Sequence, residues 1–586
     1  MKTHARAVVV GGGVVGVSTL YHLAKRGWAD SVLIERKELT SGSTWHAAGL
    51  LPLFNLSYSV GQLHKYSVRF YEELQEETGM NVGFSKVSNI RLARTKDRWD
   101  EYMYYAGIAE TIGVTVNVLT PEQVKEIWPL CETDGLLGAI QHPDDGYIQP
   151  ADLTQALAKG ARDRGATIYR NTTVTAIEQQ PDGLWKITTD KGEITAEHVI
   201  SCTGNFARKT GEMVGLDVPV IPVEHQYIVT EPHPAIQERR RQGLPEMGVL
   251  RESDSAWYMR EEAGGLILGP YEIGAPVCYV DGPSDESEYE LFQEDLDRLM
   301  PHIEAAIVRV PAFGEVGIKK VYNGAIAGWQ LAEWIVAGEP TVDMMGVDPR
   351  RFGPYATEGY LIAKNEEAYS NVFTMHYPDE ERSAARPLKT TPIYDRLKKL
   401  GGVFGSVYGW ERANWYAPQG YEVPKDQLGV GADVITNHNH APPLDDGRIV
   451  EKWSFRRSNY FEHVGNEVKN VHEHVGVLDM SPFAKMEVSG PGAREWLNSI
   501  LANAIPKKRG RIALCHLPTP AGGVKAEFTV YEWAPDRFYL VSAGGLEAHD
   551  HDLLARLAPT DGSVQLQPIT QKYGVLVLAG PKSRDV

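Results

Sequence analysis

The chain has 586 residues, 42% of them apolar and 23% charged, with a formal net charge of −18 and a pI near 5.5. This length exceeds what one hydrophobic core serves, so at least two domains are expected, and the composition excludes disordered, collagenous and coiled-coil classes. The acidic balance repels phosphate backbones and anionic lipid, and no apolar run reaches the ~18 residues of a membrane span, so neither nucleic acid nor a membrane is expected as a partner.

The first predicted strand, residues 7–10, begins close to Met1, so no targeting peptide is expected ahead of it and the reading is a cytoplasmic, reducing compartment. From Arg6 an apolar run leads into a glycine cluster and then an amphipathic segment with Leu20, Leu23 and Ala24 at helical spacing. Gly27 suits the helix C-terminus, and a second apolar run, 32–34, ends at Glu35, which together predict a β-α-β unit. Strands are predicted at 174–177, 227–230 and 266–268, and a helical pattern covers 288–310, where Pro301 should kink or split it. Residues 348–424, rich in Pro, Gly, Tyr and Trp, read as a connecting region. Beyond it, strand-like segments at 485–488 and 528–531 accompany a short helix at 493–501, which divides the chain into 1–347, 348–424 and 425–586.

Four cysteines, Cys131, Cys202, Cys278 and Cys515, stand far apart without a C-x-x-C pair, which predicts buried, reduced thiols. The pairs His438/His440 and His472/His474 lack a third clustered ligand, and no metal is expected.

Gly11-Gly12-Gly13-Val14-Val15-Gly16 contains G-x-G-x-x-G after a strand and at a helix start, with Glu35 19 residues beyond Gly16. Gly11 permits the tight turn, Gly13 lets the backbone approach a pyrophosphate, and Gly16 allows the helix to pack closely on the strand. The helix N-terminus supplies N–H donors and a positive partial charge, and Glu35 suits a ribose hydroxyl pair. This fingerprint does not by itself separate NAD from FAD.

The segment Leu39-Thr40-Ser41-Gly42-Ser43-Thr44-Trp45-His46-Ala47-Ala48-Gly49-Leu50 resembles the flavin-attachment loop of the dimethylglycine and sarcosine dehydrogenase family. The similarity continues through Gly146-Tyr147-Ile148-Gln149-Pro150, Val223-Glu224-His225-Gln226-Tyr227 and Gly269-Pro270-Tyr271-Glu272, and covers most of the chain. It implies an α/β Rossmann-like FAD-binding domain with a substrate-binding β-sheet subdomain, and FAD bonded covalently through His46. The implied FAD contacts are Gly11, Gly13, Val14, Val15, Gly16, Glu35 and Arg36, the loop residues Gly42, Ser43, Thr44, Ala47, Ala48, Gly49 and Leu50, Val174, and Gly204 and Phe206 of the turn Cys202-Thr203-Gly204-Asn205-Phe206.

The implied activity is oxidative N-demethylation of a small-molecule amine, N,N-dimethylglycine to sarcosine. Hydride loss requires a free nitrogen lone pair, so a pocket must favour the neutral amine and orient it. The resemblance assigns His225 to tuning the amine's protonation and Tyr258 to positioning it, with Trp257 as a pocket wall. Ala47-Ala48 and Gly269-Pro270-Tyr271-Glu272 favour dimethylglycine over sarcosine, although one methyl group is worth only about 1–3 kcal/mol and cross-reactivity is expected. Another N-methyl amine dehydrogenase or oxidase is the near alternative. Either oxygen or an electron-transfer flavoprotein could serve as acceptor.

From about Lys452 the chain resembles the folate-binding aminomethyltransferase domain, an α+β module, through Asp479-Met480-Ser481-Pro482-Phe483-Ala484-Lys485 and Gly522-Gly523-Val524-Lys525-Ala526-Glu527-Phe528-Thr529-Val530. It implies that tetrahydrofolate captures the one-carbon unit, with Glu527 as the carboxylate near the folate amines. A folate-dependent aminomethyltransferase with a non-catalytic flavin-like domain is the rival of a different class. There are two departures from the family pattern. A longer glycine-rich stretch is missing between Asn323 and Trp334, and the chain stops at Val586 partway through the folate module, so apolar surface is expected to stand exposed there.

Overall fold

The computed structural model describes residues 1–326, 343–428 and 439–586. Two compact units are present, one containing Met1–Met344 and Leu361–Tyr377, the other Met345–Tyr360, Pro378–Gly429 and Asn439–Val586. The short glycine-rich stretch around Ala327 and Gly328 and the His438 of the first histidine pair lie outside the described residues.

In the first unit the β-α-β expectation is met by the strand His4–Val10, the helix Val14–Lys25 and the strand Ser31–Ile34. The two strands pair in parallel, Val8 opposite Val32 and Val10 opposite Ile34, within a six-stranded sheet. Its strand order is Thr167–Tyr169, Ser31–Ile34, His4–Val10, Gly192–Ser201, Trp185–Thr189, Val174–Gln179. Ala7 and Val9 face one core with Leu20 and Leu23 of the helix, and Val8 and Val10 face another with Ile187 and Ile194. Burial on both faces explains the continuous apolar run at 7–10.

An eight-stranded sheet follows, ordered Ile318–Ile326, Val223–Thr230, Gly265–Pro270, Trp257–Glu262, Val249–Glu252, Asn89–Ala93, Gly138–His142, Asn117–Leu119. Successive side chains on a strand point to opposite faces. One face carries Ile90, Leu92, Leu250, Trp257, Met259 and Leu268, packed with Leu299 and Ala306 of the helix Leu296–Arg309. The other face presents Tyr227, Tyr258 and Ile267. Trp257 therefore belongs to the core on the face opposite Tyr258, which corrects the expectation that it walls a pocket beside Tyr258; the alternation separates the two neighbours.

The helix expected over 288–310 starts only at Leu296, where the Asp295 side chain accepts from Arg298 N, and it runs through Pro301 without splitting. Pro301 removes a single backbone bond, while the apolar face on either side stays packed, with Leu299 and Ala306 buried. The connecting region also holds more structure than its composition suggests. The helix Glu358–Ser370 sends Tyr369, with Phe373 beyond it, into the first unit, and Gly402–Val407 pairs with Trp410–Tyr416 as a hairpin.

The second unit contains a five-stranded antiparallel sheet ordered Ile512–Pro518, Val524–Ala534, Arg537–Ser542, Ala484–Ser489, Gln565–Pro568. Met486, Phe528 and Leu540 pack with Trp496 and Leu497 of the helix Ala493–Ile500. Ile512, Leu514, Val524, Val477, Leu576 and Leu578 are exposed apolar residues in this unit. All four cysteines are free thiols, but Cys202 is only half-buried, because it sits in the turn at the end of a strand rather than inside a core. Among the described residues, no helix is long and apolar enough to cross a membrane.

Candidate active site

The glycine cluster closes tightly on the turn after Ser201. Gly11 has φ of +111°, and a Cβ there would stand 2.3 Å from the Cys202 carbonyl oxygen; one on Gly16 would stand 1.9 Å from the Gly11 oxygen. These contacts explain why both positions need glycine. Gly12 N donates to Glu35 Oε2 at 2.6 Å and Lys37 N to Oε1 at 2.8 Å, while burial pushes the carboxyl's pKa up against those donors. The helix beginning at Val14 has no acidic residue in its first turn and no side-chain cap from Gly13, which leaves a positive end open to an anion. Thr44 Oγ1 accepts from Val14 N at 3.1 Å, so the loop containing His46 lies against this helix terminus.

Arg36 stacks on the Phe206 ring at 4.2 Å and donates to the carbonyl oxygens of Asp285 and Ser287. Val174 is half-buried against the core that contains Val8, Val10, Ile187 and Ile194. Trp45 Nε1 and Asn205 Oδ1 are sealed from water without a hydrogen-bond partner, although such groups are ordinarily paired. A glycine cradle, a ribose-type carboxylate and two orphaned polar atoms together fit a bound FAD.

His46 ends the 3₁₀ turn Ser43–His46, and its ring lies over Gly324, where a Cβ would stand 2.3 Å from Cε1. Tyr227 Oη donates to the His46 carbonyl at 3.0 Å, and Trp45 meets the imidazole edge-on at 5.4 Å between centroids. Burial lowers the His46 pKa, so the ring is neutral and keeps a nitrogen lone pair. The loop is braced on its far side as well. Leu50 pairs with Tyr147, a Cβ on Gly49 would stand 2.0 Å from the Ile148 oxygen, and Arg260 Nη2 donates to the Ala48 carbonyl at 3.3 Å.

Gly324 is the cross-strand partner of His225, which brings His46 and His225 to one place. His225 Nε2 lies 3.4 Å from Tyr258 Oη, and Nδ1 lies 2.8 Å from Tyr369 Oη. Tyr369 in turn donates to Glu272 Oε2 at 2.9 Å, and Gln226 Nε2 donates to Oε1 at 2.6 Å. Since Tyr369 has given its only proton to Glu272, Nδ1–H of His225 must donate to Tyr369, leaving the Nε2 lone pair facing Tyr258. Tyr271 packs on the His225 ring at 5.0 Å. Gly269, opposite Tyr258 in the sheet, makes room for its phenol: a Cβ there would stand 2.0 Å from Tyr258 Cζ. The motif Gly269-Pro270-Tyr271-Glu272 thus serves His225 and Tyr258 through three of its four residues. Gly269→Ala is expected to destabilise the fold by about 1–3 kcal/mol as the phenol is displaced, read as a lower urea midpoint with unchanged slope; an unchanged midpoint would mean that the ring moves freely.

Burial, with a smaller contribution from the neighbouring His46 ring against a second proton in the site, pushes the His225 pKa down to about 4, and burial pushes that of His142, bonded to Tyr105 Oη at 2.9 Å, down to about 3. The unfolded chain takes up protons near the ordinary 6.5 while these two rings stay neutral in the fold. Stability should therefore fall with pH below that value, by roughly 4 kcal/mol for the pair at about pH 5. Asp145, which burial raises to about 6, acts with the opposite sign and returns about 1 kcal/mol of this. A Tm that declines between pH 7 and pH 5 is the expected result; a flat profile would contradict it.

Glu527 lies in the second unit on the strand Val524–Ala534, exposed, with Oε2 2.9 Å from Nε2 of its cross-strand partner His516. Its neighbours Ala526 and Phe528 face the core, so the alternation turns Glu527 outward. His474 Nδ1 lies 2.9 Å from Lys582 Nζ, and His440 Nδ1 lies 3.0 Å from the Ala441 oxygen.

Residues 6–328 match the family described as FAD dependent oxidoreductase, 337–391 its central domain, and 393–586 the GCVT N-terminal domain. The chain is 36% identical over 626 residues to the mitochondrial dimethylglycine dehydrogenase of Mus musculus, covering all of this chain and 68% of that protein. It is 30% identical to the 4-methylaminobutanoate oxidase (formaldehyde-forming) of Paenarthrobacter nicotinovorans, covering 71% of that protein. The crystal structure of L-proline dehydrogenase from P. horikoshii shares the fold, with a TM-score of 0.51 and 22% identity over 60% of this chain and 98% of that one.

Proposed function

The chain belongs to the dimethylglycine dehydrogenase family, FAD-dependent oxidoreductases of N-methyl amino acids with a GCVT-type folate-binding domain, and on that premise we propose that it demethylates N,N-dimethylglycine to sarcosine. The reading includes FAD joined covalently to His46 and transfer of the one-carbon unit to tetrahydrofolate. The observation that carries it is the convergence of His46, His225 and Tyr258 on one face of the eight-stranded sheet.

Gly11, Gly13, Gly16, Glu35 and Arg36 would hold the dinucleotide part of FAD, and the loop 42–50 its flavin ring. Bound there, FAD supplies the two-electron acceptor for hydride from the N-methyl carbon. The chain's own contribution is to present that carbon from a neutral amine. A buried pocket disfavours an ammonium, and an uncharged His225 presents a lone pair rather than a competing cation. Tyr258, whose hydroxyl burial keeps protonated, offers one donor to orient the substrate, and Tyr271 adds an aromatic wall.

Turnover with an artificial electron acceptor tests this, with sarcosine measured as product. Dimethylglycine is expected to give the highest kcat/KM among dimethylglycine, sarcosine and 4-methylaminobutanoate. A higher value for either of the others moves the substrate within the family, whereas flavin-loaded protein that oxidises none of them contradicts the proposal.

For the folate step, Glu527→Gln is expected to leave amine oxidation unchanged while the one-carbon unit escapes as formaldehyde. The shift should be about tenfold or more in the ratio of formaldehyde to methylenetetrahydrofolate, the scale of a lost general acid–base group. An unchanged ratio would remove Glu527 from the site. Glu527 is exposed and so accessible to a ligand, which supports its place in this reading.

A further inference from the structure

Five arginines are buried among the described residues: Arg91, Arg98, Arg251, Arg260 and Arg309. Three of them meet carboxylates. Arg98 bonds Asp254 at 2.8 Å and Glu101 at 2.6 Å, Arg260 bonds Glu262 at 2.6 Å, and Arg309 bonds Glu252 at 3.4 Å. Arg91 and Arg251 have no such partner among the described residues; Nε of each is sealed without a hydrogen bond, as it is also in Arg260 and Arg309, so the missing carboxylate is what sets the two apart.

These two guanidinium groups are also neighbours. Arg91 and Arg251 sit opposite each other on paired strands, and Arg251 is next to Tyr258 in the following strand. The Arg251 guanidinium lies 5.5 Å from the ring centres of both Tyr258 and Phe373, and that of Arg91 lies 4.2 Å over Phe54. The charge of Asp145 acts on both, but its carboxylate already accepts from Leu53 N and Gly146 N. Burial, then the charge of Arg251, pushes the Arg91 pKa down to about 10. Two guanidinium groups set against one carboxylate among the described residues carry an excess positive charge in an aromatic setting, which is unfavourable unless a further anion completes it.

We infer that Arg251, with Arg91 behind it, is the binding site for the carboxylate of the amino-acid substrate, one residue position across the sheet from Tyr258. The inference rests on the N-methyl amino acid reading and adds to it the group that selects an acid over an uncharged amine. Arg251 is one strand from Tyr258, and Tyr258 reaches His225, so a carboxylate on the guanidinium leaves the amine end toward the histidine. A planar guanidinium can grip a carboxylate through two parallel bonds, which fixes orientation as well as charge.

The test compares N,N-dimethylglycine with N,N-dimethylglycinamide on the flavin-loaded protein, in wild type, Arg251→Gln and Arg251→Lys. Wild type is expected to prefer the acid on the order of 100-fold in kcat/KM. Arg251→Gln should lose most of that preference through a higher KM for the acid, leave the amide within a few-fold, and keep its Tm, since an unpaired buried cation has been removed. Arg251→Lys should keep part of the preference. A preference that survives in Arg251→Gln overturns the inference, as does a wild type that treats acid and amide alike. A Tm collapse in both variants would mark Arg251 as structural and also overturn it.

If another N-methyl amine proves to be the substrate, its own acid and amide pair reads the same contact. If none is oxidised, perturbation of the flavin spectrum by acetate but not acetamide, lost in Arg251→Gln, still supports the site while the proposed reaction fails. Equal perturbation by both compounds overturns the site.

Discussion

His46→Ala is expected to abolish protein-linked flavin: after acid denaturation and removal of free cofactor, visible absorbance stays with wild type and falls to background in the variant. The expectation follows from where the side chain sits. The ring of His46 is pressed over Gly324, its backbone carbonyl is held by Tyr227, and its loop is tied to the helix terminus at Val14 through Thr44. Truncation to Ala removes the one imidazole of that turn and leaves the backbone contacts in place, so the dinucleotide cradle of Gly11, Gly16 and Glu35 should still bind FAD without a bond. Flavin released from both proteins would keep the oxidoreductase and remove His46 as the attachment point.

The second large effect is expected at His225. His225→Gln should lower kcat/KM for dimethylglycine about 100-fold, the scale of losing or misplacing one oriented catalytic group. The ring is fixed on three sides, by Tyr369, Tyr258 and Tyr271, so its position is set by partners rather than by its own rotamer. Because burial holds it near 4, the wild-type pH profile of kcat/KM should show no inflection near 6.5, and its rising limb should follow deprotonation of the amine instead. A clear histidine step near neutrality would mean that His225 is charged in the free protein and would overturn its role as a neutral lone-pair donor. Tyr369→Phe offers a milder version of the same test. It removes the acceptor of Nδ1–H and frees the imidazole to change tautomer, so activity should fall by less than in His225→Gln.

The part of the site that is local in sequence was legible there. Gly11, Gly16 and Glu35 belong to one β-α-β unit, and their spacing is set by a single turn and a single helix. His225 and Tyr258 were found through resemblance, since a histidine or tyrosine on a strand carries no local mark of its work. The partners that orient them were not legible. Tyr369 comes from a stretch read as connecting region, 144 residues from His225, and the Arg91–Arg251 pair joins strands far apart in the chain through a parallel pairing that no local pattern announces. Trp257 is the opposite case: the alternation of strand faces already separates it from Tyr258, and the structure puts it in the core with Met259. Pro301 shows the limit of a composition rule, because a helix with a packed face tolerates the loss of one bond.

The central claim is that flavin bound beside His46, His225 and Tyr258 accepts electrons from an N-methyl amino acid. Anaerobic mixing of the purified, flavin-containing protein with N,N-dimethylglycine, followed by absorbance in the visible range, tests it most directly. Complete bleaching of the flavin is expected, slowed when the N-methyl hydrogens are replaced by deuterium and at least about tenfold slower in His225→Gln. Flavin that stays oxidised with dimethylglycine, sarcosine and 4-methylaminobutanoate alike would contradict the claim.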